Sequence, residues 1–278
     1  MSDLPHPITK QTFTSPVKPG TGWPMDFASS QTPIAKTATQ VKKLANSNSL
    51  TELSAAISVC RACPRLVKWR EEVAVTKRKS FEDQPYWGRP ATGFGDEQPA
   101  LLVVGLAPAA NGANRTGRIF TGDRSGDWLY RAMHKAGFAN QPTSDHAGDG
   151  LTLNNSRVLA AVRCAPPGNK PTPAERDNCS HWFLSELAFL EPRLKVMIAL
   201  GGFAWDQSIS TLQQRGFSGA KKKFGHGEIV EFSRDCKTIW LIGSYHVSQQ
   251  NTFTGRLTEA MLDDVFHQAK LRITNRKK

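Results

Sequence analysis

The chain carries five cysteines, and four of them are spaced in a way that suits metal ligation. Cys60 and Cys63 form a C-x-x-C pair. Cys164 and Cys179 come from a later region and are separated from each other by a proline-rich stretch and the start of a helix. Four thiolates suit either a tetrahedral zinc ion or a [4Fe-4S] cluster. Zinc ribbons usually close with a second C-x-x-C, so the separated later pair favours the larger cluster. A C-x-x-C turn beside two unrelated buried thiols gives the same spacing. Cys236 lies on a polar stretch and stands outside the set.

Bringing these cysteines together requires a fold with long-range connections. From Leu50 onward, short apolar runs alternate with amphipathic stretches, the pattern of a parallel sheet flanked by helices. Strands are predicted at 100–106, 157–163, 196–200 and 238–244. A helix over 127–136 places Trp128, Leu129, Ala132, Met133 and Ala136 on one face and ends at Gly137. Thr172-Pro173-Ala174-Glu175 reads as a capping box with Pro at the first helical position, so the helix it opens carries Cys179 on its second turn. A last helix is predicted from near Thr254, with Leu257, Met261, Val265 and Phe266 facing inward. Residues 221–232 read as an inserted turn or hairpin. Open sheets of this kind bind ligands beyond the carboxyl ends of their strands. The three unusual segments, GLAPAANGANRTGRIFTGD, RCAPPGNKPTP and YHVSQQNTFTGR, follow the first, second and last predicted strands.

A formal charge of +12 over 278 residues points to a polyanionic partner, with nucleic acid first among the candidates. No apolar run approaches the length of a membrane span, and the start lacks the apolar core of a secretory signal, which predicts a cytoplasmic protein without membrane association. In a reducing compartment the cysteines serve metal ligation or chemistry rather than disulfides. Residues 1–49 are rich in Pro, Ser, Thr and Lys without sustained apolar periodicity, and are predicted to form a mobile arm. Residues 50–270 are predicted to form one domain and 271–278 a basic tail.

The three segments, together with the C-x-x-C upstream, resemble the iron-sulfur uracil-DNA glycosylases of type B, family five of the uracil-DNA glycosylase superfamily. The likeness covers roughly residues 50–269. It implies a three-layer α/β/α sandwich with a central four-stranded parallel sheet and a [4Fe-4S] cluster on Cys60, Cys63, Cys164 and Cys179. It also implies a monomeric, monofunctional DNA glycosylase acting on double- or single-stranded DNA at the start of base excision repair. Its substrates are uracil together with hypoxanthine, xanthine and etheno adducts.

Breaking the bond between deoxyribose and uracil leaves a sugar with oxocarbenium character and an anionic base, and the base must first be flipped out of the stack. His246, at the end of the last strand, is placed to donate an imidazole N–H to the developing oxyanion. Asn114 is expected to position water through its amide. Ala107 stands before Pro108 where related enzymes often carry Asp or Asn, so no carboxylate is expected there. Asn111 replaces a customary His, and Val247 a customary Pro. Phe120 is expected to stack on the flipped base, with Gly105, Ala107 and Ala160 lining its pocket. Ala160 stands where a related branch has an edge-reading Asn, which implies broader specificity. Gln249, Gln250 and Asn251 occupy the wedge position, and Arg115, Arg118 and Arg256 are placed to meet phosphates. Lys68, Arg70, Lys77, Arg78 and Lys79 form a basic stretch near the cysteines. Two other readings use the same residues: a non-enzymatic iron-sulfur protein that binds DNA, and a zinc-stabilised hydrolase of free nucleosides.

Overall fold

The structure, a computed structural model, describes residues 3–274. The basic run 276–278 therefore lies outside the described residues. The elements in chain order are β1 (Leu4–Pro5), β2 (Thr12–Phe13), α1 (Ala38–Leu44), α2 (Leu50–Ser58), α3 (Pro64–Thr76), β3 (Phe94–Gly95), β4 (Leu101–Gly105), α4 (Ala113–Thr116) and α5 (Arg124–Lys135). They continue with β5 (Ser156–Ala160), α6 (Pro173–Leu190), β6 (Val196–Leu200), α7 (Gly202–Gln214), β7 (Ser218–Gly219), β8 (Ile229–Arg234), β9 (Lys237–Ser244), α8 (Gln249–Phe253) and α9 (Glu259–Thr274).

The four predicted strands form the parallel centre of the sheet in the order β5-β4-β6-β9, with Val103 opposite both Val158 and Ile198, and Ile198 opposite Ile242. Each central strand is apolar on both faces, as a sheet covered by helices on both sides requires. Leu102, Val104, Met197 and Leu241 pack under α1, α2, α6 and α7, whereas Leu101, Val103, Ile198 and Ile242 pack under α5 and α9. The expected α/β/α sandwich is thus present. Three antiparallel strands extend it: β3 on one edge, β8 and β7 on the other. The segment read as an inserted hairpin therefore belongs partly to the core, with Val230 and Phe232 buried.

Local chemistry sets the boundaries. Asp123 caps α5 by accepting from the Gly126 N–H at 3.1 Å, so this helix starts three residues before its apolar periodicity does. The capping box at Thr172 and Glu175 is formed in both directions, at 3.3 and 2.8 Å. The last helix is divided. Ser248 caps α8, Gly255 breaks the path at φ +72°, and α9 begins at Glu259.

The segment expected to be a mobile arm instead lies folded against the domain. Phe13, Val17, Trp23, Ala28, Ala35 and Val41 are buried. Asp26 receives both guanidinium arms of Arg89 at 2.7 and 3.1 Å, and the Trp23 indole lies against Gly117, where an added Cβ would stand 2.6 Å from Nε1. His6 meets His146 ring to ring at 4.3 Å. Between the short elements β2 and α1 the path is irregular, so the burial of Val17, Trp23, Ala28 and Ala35 leaves no helical or strand period in the sequence.

Candidate active site

Beyond the carboxyl ends of β4, β5 and β9 the loops enclose a cavity of about 1400 Å³, including its open mouth. Leu106, Ala107 and Ala109 come from the loop after β4, and Phe120 and Asp123 from its far end. Gly168, Asn169 and Lys170 come from the loop after β5, His246 and Ser248 from the loop after β9, and Gln249 and Gln250 from the start of α8. Another cavity, between Met25, Phe94 and Glu97 at the β3 edge, brings together no comparable set of reactive groups.

Phe120 forms the floor. Its backbone lies at φ +51°, its carbonyl accepts from the Ser144 hydroxyl at 3.2 Å, and its ring rests on Gly105. A Cβ at Gly105 would stand 2.6 Å from the ring, so glycine there is what lets the ring lie down on the sheet. Gly105 and Ala160 are register partners at the strand ends beneath this ring, and Ala160 belongs to the core packed behind it. His246 stands beside Phe120, with ring centroids 6.1 Å apart. Burial lowers its pKa to about 4, so at neutral pH it is an uncharged imidazole. The Asn251 amide donates to the His246 carbonyl at 2.8 Å and fixes the loop. Val247, in place of the customary Pro, is buried in the core.

Asp123 is the residue that reading the sequence missed. It reaches the pocket from the cap of α5, with Oδ2 only 2.0 Å from where a Cβ on Gly112 would stand. Burial raises its pKa above the ordinary aspartate value, opposed by the Gly126 and Ser125 N–H groups. The absence of a carboxylate at Ala107 is thus answered from the other end of the same loop. The signal was present in Thr121-Gly122-Asp123, an Asp immediately before a helical run. Asn169, at φ +56° in the turn before α6, also lines the pocket and was missed.

Several assigned roles are corrected. Asn114 is buried behind the pocket, its amide donating to the Arg70 carbonyl at 3.1 Å, and it does not line the cavity. Arg115 is buried and spends its guanidinium on Asn111 O, Gln84 Oε1 and Gly122 O, so it braces the loop rather than meeting phosphate. Arg118 is buried against Asp149 with two contacts of 2.7 and 2.6 Å. Asn251 turns inward to His246. Gln249, Gln250 and Arg256 remain exposed, with Arg256 resting on the Tyr245 ring at 4.7 Å. Asn111 accepts from the Tyr86 hydroxyl at 3.0 Å.

Cys60, Cys63, Cys164 and Cys179 are all buried and line one cavity of about 250 Å³, while Cys236 is exposed. Among the described residues no three Cys, His, Asp or Glu side chains stand together as ligands of a single ion. Burial pushes the Cys60 thiol up to about 11 and raises Cys63 and Cys179 as well. Arg70, grouped by sequence with surface cations, is buried here: it donates to Cys164 Sγ at 2.9 Å and to Cys60 O at 2.9 Å. Asn178 donates to Cys63 Sγ at 3.6 Å. Arg70 Nε and Arg163 Nε and Nη1 are buried without hydrogen-bond partners.

This α/β/α fold, with a pocket at the strand ends, places the chain in a defined class. It belongs to the uracil DNA glycosylase superfamily, whose sequence profile matches residues 92–270. It is 58% identical over 267 residues to a type-5 uracil-DNA glycosylase of Mycobacterium bovis, covering 95% of this chain and 97% of that one. A type-5 uracil-DNA glycosylase of Thermus thermophilus is 47% identical over 214 residues, 77% of this chain and 94% of the relative. A type-4 uracil-DNA glycosylase of Thermotoga maritima is 28% identical over 113 residues, 40% of this chain and 50% of that one.

Proposed function

We propose that this protein hydrolyses the N-glycosidic bond of uracil in DNA and thereby initiates base repair. The observation that carries the reading is the convergence of Phe120, Asp123 and His246 in one pocket. A flipped base lies against Phe120. The neutral His246 donates an N–H to the base oxygen as negative charge develops, which needs no proton uptake beforehand. Asp123 orients and deprotonates the water that attacks the sugar, and the Asn169 amide shares that water. The large pocket, with Ala160 rather than an edge-reading amide behind it, supports acceptance of hypoxanthine, xanthine and etheno adducts. Both single- and double-stranded DNA fit this scheme, acted on by a monomer. Among the described residues no helix is long and apolar enough to cross a membrane, and buried free thiols suit the cytoplasm.

The four cysteines are proposed to hold a [4Fe-4S] cluster. They stand around a shared space without forming a single-ion site, and Arg70 and Arg163, which line that space, keep buried N–H groups without hydrogen-bond partners, as an anionic group there would require. When bound, such a group would tie together the turn before α3, the loop after β5 and α6 through Cys60, Cys63, Cys164 and Cys179. Arg70→Met is expected to accelerate loss of iron and acid-labile sulfide to a chelator by roughly 10-fold or more, because hydrogen bonds to ligands support metal retention. Visible absorbance followed over time checks this.

The function is tested with a labelled oligonucleotide holding one uracil, cleaved with alkali after incubation. The purified protein is expected to give the abasic product. His246→Ala is expected to slow excision by about 10²–10³-fold with DNA affinity nearly intact. Absence of product from the wild type would reject the function; equal loss of binding would reject the role of His246.

A further inference from the structure

Phe253, on α8, is 67% exposed, the most exposed large apolar side chain among the described residues. A lone exposed ring needs no explanation, so its position is what matters. α8 begins directly after Ser248, and Gln249 and Gln250 of the same helix line the pocket mouth. One face of the Phe253 ring is covered by the Arg124 guanidinium at 4.7 Å, and Arg124 lines the same pocket. The helix is held in place by the Ser248 cap, by the Asn251 amide on the His246 carbonyl at 2.8 Å, and by the Leu257 N–H on the Asn251 carbonyl at 3.0 Å. The ring is therefore presented at the rim on a short element anchored to the loop of His246.

We propose that Phe253 enters the DNA stack and fills the gap left by the flipped nucleotide. The inference rests on the reading of the pocket as a base site. A vacated stack is a flat apolar slot, and apolar side chains that enter such slots offset part of the unstacking cost. Of Gln249, Gln250 and Asn251, the residues assigned to this task by sequence, the two glutamines are polar and line the pocket itself, and Asn251 is held on the His246 carbonyl. Phe253 is the apolar group that α8 turns outward. Arg124 supplies a cation against the ring, and exposed Lys170 and Arg256 add positive charge around the mouth, where the strand's phosphates must pass.

Phe253→Ala and Phe253→Leu are compared with the wild type on the same uracil sequence as duplex and as single strand. 2-Aminopurine beside the uracil reports unstacking. Phe253→Ala is expected to lower kcat/KM on duplex by ~10–100-fold, far more than on single strand, and to weaken the 2-aminopurine signal, with Leu recovering most of both. Equal losses on the two substrates, or an unchanged duplex rate, would overturn the wedge while leaving the glycosylase reading intact. A wild type that releases no uracil from either substrate would instead remove the reading beneath it.

Discussion

Asp123→Asn is expected to lower kcat on uracil-containing DNA by about 10²–10⁴-fold, the usual contribution of a positioned general base. Asn still caps a helix by accepting from the backbone, so α5 keeps its start and the fold keeps its stability. The substitution therefore separates chemistry from structure. The pH profile gives a second reading. A base works when deprotonated, and burial holds the Asp123 carboxyl above its ordinary range. Activity should accordingly fall as pH drops through that raised value, and the fall should vanish in Asp123→Asn. His246, with a pKa near 4, contributes no inflection at the ordinary histidine value of 6.5. A wild-type inflection that persists unchanged in Asp123→Asn would contradict the assignment of Asp123 as the base. Single-turnover rates from acid to neutral pH make the measurement.

Glu186→Ala is expected to destabilise the protein by about 3–5 kcal/mol, because it leaves buried arginine charge without its partner. Glu186 lies fully inside the domain, with Oε1 on Arg157 Nε at 2.7 Å and Oε2 on Arg163 Nη2 at 2.6 Å. It also presses on Gly93, where an added Cβ would stand 2.0 Å from Oε1. Burial alone would raise its pKa, but Arg163 and Arg157 outweigh burial and hold it below the ordinary glutamate value. A depressed carboxylate stabilises the fold above its unfolded pKa of about 4.5, and that share is lost as pH falls through the lower folded value. Urea midpoints at neutral and acid pH, with unchanged slopes, measure the effect. A loss below about 1 kcal/mol would mean that the two arginines find water or other partners. Because Arg163 also borders the cysteine cavity, the same variant is expected to hold the proposed cluster less well than the wild type.

The parts of this molecule that repeat locally were readable in advance. The four central strands showed as apolar runs, α6 as a capping box, and the site-bearing loops as compositionally odd stretches after strands. What failed to read depended on depth and direction. Arg115 and Arg118 look like phosphate binders as residue types, and nothing in their spacing reveals Gly122 O or Asp149 as partners from the other side of a loop. Asn114 lies in the right motif, but the turn of α4 carries it inward. Asp123 was hidden for the opposite reason: its capping role is local, while its pocket role depends on Gly112 making room beside it. Irregular packing concealed the N-terminal segment as well, since Trp23 and Asp26 are fixed by partners far along the chain and follow no period of their own.

That segment also sets an order of events during synthesis. His6, Trp23 and Pro24 are made well before His146, Gly117 and Gly148, on which they seat. Contacts across such distances along the chain form slowly, after the more local parts have found each other. Residues 6–24 are therefore expected to settle late, packing behind the loop that carries Phe120 and Asp123.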